Sequence, residues 1–238
     1  MNYAWNWSIL IEPPYLGWLV SGLGLTLVIS LAAWLFALAA GTLVGLVGTL
    51  PSRPARAMAG LYVGLFRNVP LLLQLFLWFF VVPELLPARL GFWLKRELPY
   101  PEFWTAIVAL GLFTSARVAV QVSSGVQAVS RGQRMAALAS GMSLFQAYRF
   151  VLLPQAFRLV LPPMTSDFLT VFKNSALALT IGVFELTAQS RQIESYTFQG
   201  FEAFTAATVI YLVIALAVTG VMRGLERRTA LPGGVEPR

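Results

Sequence analysis

The stretch between Glu12 and Arg53 contains no charged residue, and this feature constrains the fold most strongly. A transmembrane helix needs about 20 predominantly apolar residues, so the stretch is long enough for one tilted span and its flanks. Further apolar runs predict spans at about 61–82, 104–129, 160–182 and 203–222, and Arg117 and Lys173 interrupt the second and third of these. We therefore expect an all-α membrane protein with five transmembrane helices, formed by a single domain over residues 1–238.

The composition supports a membrane location and narrows the possible chemistry. Mean hydropathy is +0.73 and 11% of the residues are charged, against about 25% in soluble domains. With no cysteine, disulfides and thiolate chemistry are excluded. With no histidine, the commonest metal ligand and general base is missing. No Lys or Arg precedes the first span, which argues against a cleavable signal peptide.

The basic residues predict which side of the membrane each segment faces. Five spans place the two termini on opposite sides, and Lys and Arg concentrate in cytoplasmic segments. With the N-terminus outside, the cytoplasmic segments hold Arg53, Arg56, Arg131, Arg134, Arg149, Arg158, Arg223, Arg227, Arg228 and Arg238. The outer segments then hold only Arg89, Lys95, Arg96 and Arg191. We therefore expect the N-terminus outside and the C-terminus in the cytoplasm. The net charge of +7 is mainly a topology signal rather than a nucleic-acid-binding surface.

A polar segment from Arg131 to Pro154 interrupts the apolar pattern, and it contains two short helical patterns around Gly141. The first pattern runs from about residue 133 to 140. The second opens with Ser143 and Gln146 at the spacing of a capping box, and Pro154 is expected to end it because proline cannot continue the hydrogen-bond ladder. Such a helix pair either projects as a rigid surface that a partner outside the bilayer can bind, or is an ordinary capped connector between two spans.

The same segment resembles the EAA loop of ABC-importer permeases, E-A-A-x3-G-x9-I-x-L-P. The matching residues are Ala136, Ala137, Gly141, Val151, Leu153 and Pro154, while Met135 replaces the usual Glu and Val151 the usual Ile. In that family the loop is a cytoplasmic coupling helix that sits in a groove on the ATPase. The resemblance implies a coupling segment over residues 131–158, with ATPase-coupling residues Ala136, Ala137, Gly141, Phe145, Tyr148, Leu153 and Pro154. Phe145 and Tyr148 are predicted to share the helical face that enters the groove.

The resemblance extends over nearly the whole chain. FRNVPLLLQLF (66–76) and LPPMTSDFLTVFKNSALALTIGVFEL (161–186) are similar to segments of polar amino-acid permeases, the histidine/glutamine permease family. The phrases NWSIL, VVPELLP, GLFTSARV and RRTALPG are most similar to permease subunits of glutamate/aspartate importers. The resemblance implies the ABC-importer permease fold and an importer for amino acids, with glutamate and aspartate as the expected substrates.

The resemblance also implies partners for this chain. These are a cytoplasmic ABC ATPase dimer, an identical or homologous second permease subunit and an extracytoplasmic amino-acid-binding protein in a bacterial inner membrane. Neither lysine of the chain, Lys95 or Lys173, follows a glycine, so the sequence has no phosphate-binding G-x-x-x-x-G-K-[ST] loop. We expect no cofactor here, with ATP and Mg bound by the ATPase. The alternatives are a secondary transporter or channel, or an intramembrane enzyme, for which no catalytic constellation is visible.

Ionisable residues within spans are candidates for the substrate path, because they usually face a bundle interior or a watery cavity. Arg117 and Lys173 are the clearest, and Asn174, Ser175 and Gln74 complete the candidate set, with Glu185 further along. The stretch KNSAL (173–177) is typical of a helix interrupted near the membrane, where freed backbone groups could meet a ligand. A positive charge there suits a carboxylate-bearing substrate. Lys173 has two structural alternatives: its side chain extends to the interface, or it pairs with Asp167 or Glu185.

Two pairs of glycines, Gly41 with Gly45 and Gly60 with Gly64, form small-xxx-small patterns that let helices approach closely. Packing within the subunit and pairing with a second subunit explain these patterns equally well.

Overall fold

The computed structural model describes residues 3–229, and every regular element in this range is helical. The α-helices are α1 (Tyr15–Val47), α2 (Arg53–Asn68), α3 (Leu71–Phe76), α4 (Val82–Leu85), α5 (Ala88–Phe92), α6 (Pro101–Ala128), α7 (Arg131–Ala139), α8 (Leu144–Ala147), α9 (Leu153–Ser175), α10 (Leu186–Thr197) and α11 (Gly200–Thr229). Short 3₁₀ segments cover Trp7–Ile11 and Ala176–Ile181, and π-turns cover Leu77–Val81, Trp93–Glu97 and Tyr148–Leu152. The last four residues of RRTALPG, 230–233, lie outside the described range.

Three helices in the described range are long and apolar enough to cross a membrane without interruption: α1, α6 and α11. They confirm the first, third and fifth predicted spans. At 1.5 Å per residue the 33 residues of α1 measure about 50 Å, more than a bilayer core requires. More than half of the most apolar window of α6 is buried, whereas the corresponding window of α11 is almost wholly exposed. With two bent helix pairs counted as one span each, the described chain has five candidate spans.

The predicted span at about 61–82 is a bent pair of helices rather than one straight helix, because α2 and the helical segment Leu71–Leu85 meet at an angle of 101°. The break lies at Val69 and Pro70, where the backbone of Pro70 is extended (φ −55°, ψ 136°). Proline has no N–H to continue the helix of α2, and it also restricts the residue before it. Hydropathy is averaged over about 19 residues, and such an average does not reveal a helix break that is only two residues long.

The helix of the fourth predicted span, 160–182, changes from α to 3₁₀ within KNSAL, where the sequence predicts an interruption, and it breaks only after Ile181. The α-helix ends at Ser175, a 3₁₀ segment follows, and Gly182 has a left-handed backbone with φ of 94°. Glycine adopts this conformation without the steric cost that a Cβ would add. The helical segments Leu144–Ile181 and Leu186–Thr197, on either side of the break at 182–185, differ in direction by 51°.

The chain forms two compact units, each built from separate stretches of sequence. Among the described residues, the first comprises 3–36, 69–111 and 169–217, and its apolar core contains Leu19, Leu186, Ile193, Ala203 and Ala207. The second comprises 37–68, 112–168 and 218–229, and it has an apolar cluster of Val126, Val129, Tyr148, Leu152 and Ala156. Nothing in this division tests the expectation of a single transmembrane domain, which stays a prediction.

Within the second unit, Gly41 and Gly45 place α1 directly against α6. A Cβ built on Gly41 would lie 2.6 Å from both the Ser115 carbonyl oxygen and Val118 Cβ, and one on Gly45 would lie 2.7 Å from the Ala119 carbonyl oxygen. Cβ atoms built on Gly60 and Gly64 meet no atom within 4 Å. The first small-xxx-small pattern is thus explained by packing within the subunit.

We therefore expect Gly41→Ala to destabilise the chain and Gly60→Ala to be neutral or stabilising. Overpacking at Gly41 should cost about 1–3 kcal/mol, whereas alanine at an exposed helix position gains up to about 1 kcal/mol over glycine. The midpoints of thermal unfolding of the two variants in one detergent provide the measurement. Equal midpoints would show that α1 and α6 do not approach closely at Gly41.

Candidate functional site

The first helix of the polar segment, α7, has a defined cap at each end. Ser130 precedes it, and its Oγ accepts a hydrogen bond from the Gln133 N–H (3.4 Å). At the other end Gly141 is left-handed (φ 84°), its N–H bonds the Leu138 carbonyl (3.1 Å), and the Met142 N–H bonds the Ala137 carbonyl (3.2 Å). These two bonds form a Schellman motif, which needs a left-handed residue after the C-cap. Gly141 therefore turns the chain sharply between α7 and α8.

The predicted capping box at α8 is confirmed. The Gln146 N–H donates to Ser143 Oγ (3.2 Å), and the Ser143 N–H donates to Gln146 Oε1 (2.8 Å). Two end amides are thus paired by local side chains. Together with the caps of α7, these bonds define the conformation of the turn over 140–146.

Pro154 does not end this helix, contrary to the expectation from sequence. The chain passes from α8 through the π-turn Tyr148–Leu152 into α9, where Pro154 is the second residue. The Leu153 N–H bonds the Tyr148 carbonyl, an i→i+5 bond characteristic of a π-turn. At the start of a helix the missing N–H of proline leaves few hydrogen bonds unmade, so the helical path along the chain continues from Leu144 to Ser175.

Phe145 and Tyr148 do not share an exposed face, which corrects a second expectation. Phe145 is 72% exposed, whereas Tyr148 is 7% exposed. The Tyr148 hydroxyl donates to the Thr49 carbonyl (3.1 Å) and lies 3.1 Å from Thr49 Oγ1. Its ring packs in the cluster with Val126. Tyr148 therefore anchors the segment to the rest of the second unit.

The exposed apolar surface of the segment comes from a different set of side chains. We call the part of it on α7, α8 and the turn between them the apolar knob; its members are Met135 (66% exposed), Leu138 (37%), Met142 (36%) and Phe145 (72%). Phe150 (62%) is also exposed but lies further along, in the π-turn. The other predicted coupling residues divide between surface and interior: Ala136, Gly141 and Pro154 are exposed, Leu153 is half-buried and Ala137 is buried.

Arg117 and Asp167 form an ion pair within the second unit. The Arg117 Nε lies 2.7 Å from Asp167 Oδ1, with 43% of the Arg117 side chain and 2% of the Asp167 side chain exposed. Gln121 Nε2 donates to the other carboxylate oxygen of Asp167. Asp167 is therefore the partner of Arg117 and not of Lys173, and Gln121 is a functional candidate that sequence reasoning missed.

Lys173 is exposed in the last turn of α9, and within residues 3–229 its ammonium group forms no ion pair. Glu185, its other possible partner, instead accepts hydrogen bonds from the Thr187 N–H (2.9 Å), the Ala188 N–H (2.8 Å) and the Tyr211 hydroxyl (2.8 Å). Among the described residues Lys173 is thus a charge without a carboxylate partner.

The remaining candidates lie near the two helix breaks of the first unit: Gln74 follows the first, and Asn174 and Ser175 end α9 before the second. Gln74 is buried in α3, and its Nε2 donates to the Val69 carbonyl (2.9 Å), just before Pro70. Asn174 is half-buried, and the buried Ser175 hydroxyl donates to the Phe172 carbonyl (2.7 Å). Helix α3 packs against the 3₁₀ segment Ala176–Ile181. The fold therefore brings the two breaks together, which the sequence did not predict.

The sequence matches the family described as "Binding-protein-dependent transport system inner membrane component" over residues 37–231. The chain belongs to this family. It is a multi-pass permease component, a transport protein rather than an enzyme, and the predicted ABC-importer permease fold is confirmed.

Individual relatives cover nearly the full length. The chain is 44% identical to the glutamate/aspartate import permease protein GltJ of Escherichia coli K12 over 99% of both chains. It is 31% identical to the arginine transport system permease protein ArtQ of Bacillus subtilis, over 90% of this chain and 94% of that one. These matches confirm the predicted resemblance to polar amino-acid ABC permeases.

Solved structures agree with these relatives. The crystal structure of an amino acid ABC transporter with histidines matches with a TM-score of 0.79 and 30% identity, covering 96% of this chain and all of that chain. The inward-facing MetNI methionine ABC transporter matches in fold, with a TM-score of 0.74 at 20% identity.

We expect Asp167→Asn to destabilise the second unit, because it leaves Arg117 without its countercharge. The cost should be on the order of 2–3 kcal/mol, below the roughly 3–5 kcal/mol of a fully buried pair, since Arg117 is partly exposed. The double variant Arg117→Met with Asp167→Leu removes both charges and should recover most of the lost stability. Thermal unfolding of the purified protein tests this; a double variant no more stable than Asp167→Asn would contradict it.

Proposed function

We propose that this chain is the transmembrane subunit of an importer that carries the acidic amino acids glutamate and aspartate into a bacterial cytoplasm. The observation that carries the proposal is the 44% identity, over 99% of both chains, to a glutamate/aspartate import permease. A second permease of that specificity in Escherichia coli O6:H1, GltK, is 31% identical over 96% of this chain. The matches favour this function over the secondary transporter or channel.

The complex would contain three further kinds of subunit: a cytoplasmic ABC ATPase dimer, a second permease subunit and an extracytoplasmic amino-acid-binding protein. The chain contains no phosphate-binding loop of its own, so ATP and Mg would bind to the ATPase. The two permease subunits would surround a common pathway in the inner membrane.

The distribution of basic residues supports an orientation with the N-terminus outside and the C-terminus in the cytoplasm. The polar segment then lies in the cytoplasm with Arg131, Arg134, Arg149 and Arg158, in agreement with the positive-inside rule. In this orientation the ATPase can reach residues 131–158.

The apolar knob is the part of residues 131–158 that we propose enters a groove of the ATPase. Its side chains are exposed although they are apolar, and exposed apolar patches mark interaction sites. The caps at Ser143 and Gly141 give the segment a defined shape, so that it can transmit displacement rather than deform. Through its hydrogen bond to Thr49, Tyr148 would transmit that displacement to the rest of the second unit.

The substrate path is proposed at the paired helix breaks of the first unit. Transporters commonly bind substrates where interrupted helices meet near the bilayer midplane. Gln74 and Asn174 supply amide groups there, and Lys173 supplies a positive charge without a carboxylate partner among residues 3–229. A positive charge favours the side-chain carboxylate of aspartate or glutamate. Arg117 is already neutralised by Asp167, so its contribution to substrate binding would be smaller.

For coupling, we expect Phe145→Ala to assemble normally but to lose most substrate-stimulated ATP hydrolysis by the complex. Loss of an aromatic anchor from an interface should reduce the coupled rate about tenfold or more. Phe150→Ala is the matched control, because Phe150 is similarly exposed (62%) but lies outside the apolar knob.

Tyr148→Ala should behave differently from Phe145→Ala, since it removes a buried anchor and should lower the unfolding temperature. A Phe145→Ala complex with normal substrate-stimulated ATPase activity would show that the knob does not couple the two subunits.

For the substrate path, we expect Lys173→Gln to reduce uptake of aspartate and glutamate in vesicles containing the whole complex. Arg191→Gln is the control and should transport normally, because Arg191 is an exposed basic residue of α10 outside both the proposed path and the coupling segment. The double variant Arg117→Met with Asp167→Leu tests Arg117 without leaving an unpaired carboxylate. Lys173→Gln with the parent rate and affinity would assign Lys173 a structural role, such as favourable interaction with the carbonyl end of α9.

A further inference from the structure

A groove of about 620 Å³ lies in the first unit, between the helical segment that follows α3 and the beginning of α6. Its volume is within the roughly 300–1,000 Å³ of pockets that bind small molecules. Most of its wall is apolar, with Phe80, Pro83, Leu94, Trp104 and Val108 as large contributors. None of the candidates for the substrate path lines this groove.

Two basic residues, Lys95 and Arg96, also line the groove, and its lining contains no acidic residue. Lys95 pairs with Glu84. Arg96 is exposed and forms no ion pair with any residue from 3 to 229. A guanidinium group presents a planar set of donors that matches a phosphate. The groove therefore combines an apolar wall with the guanidinium group of Arg96, which can bind an anionic group of a ligand.

Trp78 is a further member of the groove lining. Its indole Nε1–H is buried and has no hydrogen-bond partner in the described part of the chain. Buried donors are nearly always paired, and tryptophan at a membrane interface usually satisfies this group at the polar boundary. Because this nitrogen is enclosed by the protein, Trp78 contributes to the groove wall through its ring.

Exposed aromatic side chains lie in the groove lining or next to it in the sequence. Phe92 is 57% exposed, Trp93 is 42% exposed and Trp104 is 49% exposed, and aromatic side chains concentrate at this depth. We propose that the groove binds one anionic phospholipid, with an acyl chain along the apolar wall and the phosphate group at Arg96. A free amino acid has too little apolar surface to fill such a groove.

Titration of the purified intact importer with phosphatidylglycerol and with phosphatidylcholine of identical acyl chains, followed by native mass spectrometry, tests the proposal. The parent protein should prefer phosphatidylglycerol. Arg96→Gln should reduce that preference about fivefold, the effect of one basic side chain beside an anionic headgroup, and Arg96→Lys should retain it. Arg89→Gln is the control, because Arg89 lies in the same segment outside the groove lining.

Filling the groove tests the acyl-chain half of the proposal. Val108→Phe should weaken binding of both lipids, whereas Val213→Phe, on the exposed face of α11, should not. Equal binding of the two lipids by the parent protein and by Arg96→Gln would overturn the proposal. So would competition by inorganic phosphate alone, which would indicate a simple anion site. Loss of a protein subunit from the Val108→Phe complex, with lipid binding unchanged, would show that the groove is a protein interface.

Discussion

Any break in a membrane-spanning helix leaves backbone N–H and C=O groups that lipid cannot satisfy, and this constraint governs both bent spans. In the first unit, the Gln74 side chain donates to the Val69 carbonyl at one break. At the other, Thr26 Oγ1 accepts from the Leu186 N–H (3.1 Å), and Glu185 accepts from the next two amides. Polar side chains near each break therefore form hydrogen bonds with the backbone groups that the break leaves without helical partners.

A buried charged group likewise needs a partner of opposite charge or a hydrogen-bond donor. Asp167 is almost completely buried, and both of its oxygens have partners, in Arg117 and Gln121. Lys173 is exposed and has no carboxylate partner in residues 3–229. An acidic substrate would thus meet an available charge at Lys173, whereas at Arg117 it would have to compete with Asp167. The two basic residues look equivalent in the sequence, but the fold gives them different neighbours.

Features that depend on neighbouring residues could be read from the sequence, and features that depend on distant ones could not. The Ser143 capping box and the turn at Gly141 arise from bonds within a few residues, so their spacing predicted them. Hydropathy located the spans but averaged over the break at Pro70, which a proline within an apolar run could have signalled. Burial of Tyr148 depends on Thr49, about a hundred residues earlier, and no local pattern reveals that contact.

The π-turn at Tyr148–Leu152 has a consequence for how this loop can change during evolution. An α-helix rotates by about 100° per residue, and a π-turn accommodates one extra residue within an otherwise continuous helix. Deleting one residue from the π-turn would convert it to α-helix and keep α8 aligned with α9. Inserting one would instead rotate Phe145 about the helix axis or require a still wider turn. In this stretch single-residue deletions should therefore be tolerated better than insertions.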